Sequence, residues 1–165
     1  MAVINGVLNT QIVPSDVFGY EVNTDVGYGR EVFTITVPPA TVVRVGTVLE
    51  VDYVAKTATP VSDTFNGFPL DAVGVDALGE LAVFVGRDTP TNPATLQDFD
   101  RLSMTADGVG VAITRGDGRG VLKKGYLDFA GTAFYDLGAS AQTALFAKFT
   151  TENRFKVLDQ QHTPA

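Results

Sequence analysis

The chain has 165 residues, a formal net charge of −7, and 45% hydrophobic against 19% charged residues, the balance of one globular domain with a core of its own. The acidic surplus argues against a phosphate-backbone partner, so nucleic acid is not expected. The absence of cysteine excludes disulfides, thiol nucleophiles and cysteine-ligated metals, and no apolar run reaches the roughly 18 residues of a membrane helix, so no membrane partner is expected.

Residues 1–30 show no clean period. Pro14, Gly19, Gly27 and Gly29 interrupt them, and an extended arm is the simplest expectation. The first fifteen residues, MAVINGVLNTQIVPS, carry no charge and no basic start, so they do not read as a signal peptide. Regular alternation begins at Val32. In VFTITV, Phe33, Ile35 and Val37 share one face and Thr34 and Thr36 the other, until Pro38-Pro39 ends the strand. A second alternation places Leu49, Val51 and Tyr53 together, with Glu50 and Asp52 opposite.

AVGVDALGELAVFVG (72–86) reads as two strands around Ala77-Leu78-Gly79, the second, LAVFV, apolar on both faces and therefore central. Residues 87–101 read as a polar loop with a short helical turn near Ala94–Phe99. A strand with Val109, Val111 and Ile113 in phase follows, then a glycine turn, VLKK and GYLDFAGTAFYD. One helix is predicted over 139–149, where Ala141, Leu145 and Phe149 recur every four residues, with Ser140 as N-cap and Gly138 as the breaker before it. Arg154–Leu158 closes the fold as a strand. The pattern predicts a mainly β protein, a small β-barrel or β-sandwich (β-tulip-like) with one short C-terminal helix. It divides into an arm at 1–30, a β-rich domain at 31–158 and a tail at 159–165.

TRGDGRG (114–120) admits three readings. It is not a Walker loop, because Lys123-Lys124 precede Gly125 rather than a hydroxyl residue. It is not a dinucleotide fingerprint, because Gly116, Gly118 and Gly120 are spaced by two and lead into a β-type run. Asp117-Gly118 suits a type I′ turn, and a hairpin centred there would pair Ile113 with Leu122 and Thr114 with Val121; a longer bulged loop is the alternative. The expected role is that of an exposed structural turn, and a contact of Arg115, Asp117 and Arg119 with an acidic partner is the option left open. An adhesion tripeptide arises easily by chance.

His162, the one histidine, lies in the tail beside Thr163-Pro164, so neither a catalytic triad nor a zinc site has material to build on. Glu50 with Asp52, and Asp98 with Asp100, alternate as paired carboxylates could for glycoside hydrolysis or calcium binding. Without accompanying loop motifs they read as solvated outer-face residues. No catalytic residue, metal or cofactor is expected. Phe65, Phe68, Phe84, Phe129, Phe134, Phe146 and Phe149 read as core.

The succession VRVGTVLEVD (43–52), AVGVDALGELAVFVGRD (72–88), GVAITRG (110–116) and VLKKGYLDF (121–129), followed by the helix ASAQTALFAKF and the strand RFKVL, resembles the head decoration, or capsid cement, proteins of tailed bacteriophages. The resemblance spans about residues 43–158. It implies a non-enzymatic β-rich structural protein that trimerises on the outer surface of the expanded capsid and clamps neighbouring major capsid subunits against internal pressure. It further implies synthesis in the host cytoplasm and residence in the virion. The N-terminal arm would add a strand to a capsid-protein sheet, with Val3, Ile4, Val7, Leu8, Ile12 and Val13 as its apolar contacts. The extra length in residues 1–42 and the loop 87–101 depart from the smallest members of that family. The competing classes are another virion component, such as a head–tail joining or tail protein, a carbohydrate-active enzyme using Asp98, Asp100 or Glu50, and a ligand-binding β-barrel.

Overall fold

The structure is a computed structural model that describes residues 17–20, 29–62, 64–65, 68–69, 79–87, 103–116 and 120–158. Its strands are β1 (Phe18–Tyr20), β2 (Arg30–Ile35), β3 (Val43–Arg44), β4 (Val48–Asp52), β5 (Thr57–Pro60), β6 (Thr64–Phe65), β7 (Phe68–Pro69), β8 (Glu80–Arg87), β9 (Ser103–Met104), β10 (Gly108–Ile113), β11 (Val121–Lys123), β12 (Asp128–Phe129), β13 (Thr132–Ala133) and β14 (Lys156–Leu158). Among the described residues, the α-helix α1 (Ala139–Thr151) precedes the last strand.

Five strands close into a barrel in the order β10-β2-β5-β4-β8. Their pairs are antiparallel, except that β2 and β5 run parallel, with Thr34 beside Thr57 and Ile35 beside Ala58. Closure removes the free edges that an open sheet would present. The period-2 pattern decides which side chains turn inward. Phe33, Ile35, Leu49, Val51, Ala58, Ala82, Phe84 and Ala112 form the barrel interior, with Val37, Val43 and Met104 in the same cluster. That interior is full at Gly110, where a Cβ would meet Ile35 Cδ1 at 2.5 Å and Phe84 Cε1 at 2.8 Å.

A second core lies outside one wall of the barrel. Leu81, Val83 and Val85 on β8, with Val48 and Ile113, pack against Val17, Phe18, Leu122, Phe134, Leu145 and Phe149. The strand LAVFV is therefore buried on both faces, as its sequence predicts: alternate residues serve the two cores. The covering layer is a three-stranded sheet, β1-β11-β14, together with α1. β1 is antiparallel to β11, while β14 is parallel to it, with Leu122 beside Val157 and Lys123 beside Leu158. A parallel pair needs a long crossover, and here the segment carrying α1 supplies it. Phe18 lies beside Leu122, so the chain enters β1 and leaves β14 next to the same end of β11.

α1 confirms the predicted core face, since Ala141, Leu145 and Phe149 are its buried residues. Its N-cap is Gly138, with extended backbone and no side-chain cap, rather than Ser140. The side chain of Gln142 reaches back instead and donates to the Leu137 carbonyl at 2.8 Å. Three other expectations change. The arm expected over 1–30 contains β1 and the fully buried Val17, so residues 17–20 belong to the folded body. Val109, Val111 and Ile113 do share a face, but it is the outer wall of the barrel. Only Ile113 is fully buried there, while Gly110 and Ala112 turn inward. Phe146, expected in the core, is 41% exposed, because it lies on α1 away from the Ala141–Leu145–Phe149 stripe. The side chains of Phe65 and Phe68, the segment 72–78 and most of the loop 87–101 lie outside the described residues.

Candidate functional site

The loop that carries the Arg-Gly-Asp tripeptide does not close a hairpin. β10, before it, pairs with β2 and β8 in the barrel, while β11, after it, pairs with β1 and β14 in the covering sheet. The Ile113–Leu122 and Thr114–Val121 pairings expected from Asp117-Gly118 are therefore not made, and the loop is a passage between the two layers. Asp117, Gly118 and Arg119 lie outside the described residues. The base of the loop is fixed on both sides. Gly120 N–H donates to the Gly116 carbonyl at 2.7 Å, which closes a five-residue turn. Gly116 N–H donates to the Asn153 carbonyl at 2.8 Å, and Lys156 N–H donates to the Gly120 carbonyl at 2.7 Å.

The glycine at 116 has a steric reason. A Cβ there would meet Phe155 Cδ1 at 2.6 Å, the Arg154 carbonyl oxygen at 2.8 Å and Phe155 Cα at 2.9 Å. Two of these atoms are backbone and cannot turn away. The segment leaving α1 thus runs directly over the loop base, with Arg154 at a positive φ of 57° to make the bend.

Asn153 organises this junction. It is buried, and its Nδ2 donates to the carbonyls of Leu81 at 2.7 Å and Thr114 at 2.8 Å, joining the start of β8 to the end of β10. Around it lies a cleft of ≈ 320 Å³ lined by Tyr53, Glu80, Thr114, Arg115, Glu152 and Arg154 among others. Two acids and two guanidinium groups line it, so its walls are mixed in sign. Burial pushes the Tyr53 phenol above its ordinary 10.0, helped by the carboxylates of Glu31 and Glu80 and opposed by a hydrogen bond with Thr114 and by Arg115. Of the expected contact turn, Arg115 is exposed and lines this cleft.

The paired carboxylates have structural partners. Glu50 Oε2 accepts the Gly79 N–H. Asp52 Oδ1 accepts the N–H groups of Val54 at 2.9 Å and Ala55 at 3.0 Å, shaping the β4–β5 turn. Among the described residues the buried carboxylate is Asp128, which has no periodic signal in the sequence. It accepts from Arg44 at 3.2 Å, from the Thr47 hydroxyl at 3.4 Å and from Gly131 N–H at 3.3 Å, tying β3 and the barrel to the β12–β13 hairpin. Its signal in the sequence was faint: an aspartate followed by Phe-Ala-Gly, with the turn made by Ala130 at φ 53° and Gly131 at φ 103°. Among the described residues, no group of three or more His, Asp or Glu side chains is placed to hold a metal. Asp98, Asp100, His162 and the arm contacts Val3, Ile4, Val7, Leu8, Ile12 and Val13 lie outside the described residues.

A scan against protein-family models gives no match, and no curated protein and no solved structure matches the chain significantly.

Proposed function

We propose that this protein is a structural virion protein of the head decoration type, which binds the outer surface of an expanded bacteriophage capsid and clamps neighbouring major capsid subunits. The observation that carries the reading is the order of the fold. A β-barrel is followed by one helix and then a last strand, the order that the resemblance of residues 43–158 to capsid cement proteins implies. A rigid body with two packed cores suits a clamp, since a deformable one would absorb load rather than transmit it. In this reading residues 1–16 add main-chain hydrogen bonds to a capsid-protein sheet. The copies act as a homotrimer, and many weak contacts across the lattice hold through avidity. No catalysis and no cofactor enter. The protein is made in the host cytoplasm and resides on the outside of the virion.

The test is stoichiometry. Quantitative mass spectrometry of purified particles from the source should find this chain in a ratio near one to one with the major shell protein. A handful of copies per particle would move it to the neck or tail. Its absence from particles would end both virion readings.

A further inference from the structure

Asn153 lines the cleft between the start of β8 and the end of β10 with one end of its amide unspent. The residue is 5% exposed, and its Nδ2 gives its hydrogens to the carbonyls of Leu81 and Thr114. Those two bonds fix the amide, since turning it over would set an oxygen against two oxygens. Its Oδ1 is therefore an acceptor, buried and with no donor among the described residues. Buried acceptors are almost always satisfied, because a bare one has lost its hydration and gained nothing for it.

The cleft holds ≈ 320 Å³, far more than the about 30 Å³ of one water and at the low end of small-ligand sites. A second acceptor lies on the β8 side. Glu80 precedes Leu81, whose carbonyl Asn153 holds, and its exposed carboxylate makes no ion pair among the described residues. Glu152 differs, since Lys148 already lies 2.8 Å from it. Two acceptors, one of them anionic, suit an ammonium group, which has donors for both. On the β10 side Arg115 follows Thr114, the other residue that Asn153 holds, and Arg154 follows Asn153 itself. A guanidinium has a fork of N–H donors, so each can take a carboxylate in addition to its partners within the protein.

Walls of both signs in one small cleft select a ligand that carries both charges. A simple anion would meet Glu80, a simple cation would meet the guanidinium groups, and a neutral polyol would leave both without a counter-charge. We propose that this cleft binds a free α-amino acid, its ammonium shared by Asn153 Oδ1 and Glu80 and its carboxylate held by Arg115 and Arg154. Asn153 ties the segment after α1 to β8 and β10, so an occupied cleft holds the covering layer to the barrel more firmly. The inference goes beyond the proposed function and does not require a capsid.

The probes are the common free L-amino acids, added one at a time to the isotope-labelled full chain while its backbone amide signals are followed. Ligand up to roughly 10 mM detects dissociation constants near 1 mM. At least one amino acid should move the amides of Leu81, Thr114, Arg115 and Arg154 saturably and raise the thermal midpoint. Its N-acetyl derivative, which lacks the ammonium, and its amide, which lacks the carboxylate, should each bind about tenfold more weakly. Glu80→Gln and Arg115→Gln should weaken binding by a similar factor, with an unchanged thermal transition in the absence of ligand showing that they fold. Saturable shifts from no amino acid overturn the proposal, as does equal binding of the blocked derivatives, which decides the matter even where a variant fails to fold. Shifts at the cleft from glucose and from no amino acid also overturn it, and make the cleft a site for hydroxyl groups. Each of these outcomes is independent of how many copies a particle carries, so the decoration reading stands or falls separately.

Discussion

Gly116 sits at the centre of the Arg-Gly-Asp tripeptide, and its surroundings show what the position requires. Backbone atoms of residues 154 and 155 stand where a side chain would go. Gly116→Ala should therefore destabilise the protein by about 2 kcal/mol, as overpacking against rigid neighbours does, read as a lower urea midpoint with an unchanged slope. Asp117→Ala should leave stability within about 0.5 kcal/mol of wild type in the same measurement. Equal losses would mean that the tripeptide acts as a unit. Tyr53 gives a second test at this scale. Its native pKa is raised above 10.0, chiefly by burial, so the unfolded chain ionises first as pH climbs. The contribution of that phenol is intact below pH 10 and is lost as pH rises through the raised native value. In urea titrations at several alkaline pH values, Tyr53→Phe should lose stability less steeply than wild type. Parallel curves would show that Tyr53 titrates normally.

At the scale of elements, β1 is the informative one. Its short sequence, FGY, gives no periodic signal, and the surrounding glycines suggest an arm. What makes it a strand is tertiary: a place beside Leu122 and Val121 and a core ready for Val17 and Phe18. Removing residues 2–16 should leave the thermal transition within a few degrees of wild type. Removing residues 2–20 should cost about 4 kcal/mol, from two buried apolar side chains and an exposed flank of β11. If both truncations melt together, β1 contributes nothing to the fold. The same contrast explains how far the sequence could be read. β2, β4, β8 and α1 were legible because their apolar periods match their burial. β10 was legible in phase but not in direction, because the interior takes the small Gly110 and Ala112 and leaves the valines facing out. The hairpin at Asp117-Gly118 misled because turn chemistry is local, whereas the partners of β10 and β11 are chosen by distant strands. Phe146 was read as core because nothing in a single residue type tells a buried ring from a displayed one. Asn153 and Asp128 could not be found by pattern at all, since their work is to join segments 39 and 72, and 81 and 84, residues apart.

For the molecule as a whole, β8 is a wall between two cores. Loosening either side exposes the other, so the barrel and its covering layer stand or fall together. That coupling sets what the protein can carry. The chain enters β1 and leaves β14 at the same end of β11, so segments joined to the two ends of the folded body start from neighbouring points. A bulky protein fused after Leu158 would begin its path near the start of β1, whereas the same cargo inserted at the solvent-facing β4–β5 turn would hang from a point outside that sheet. For anyone attaching foreign domains to this fold, the choice of attachment point is already written into the order of three short strands.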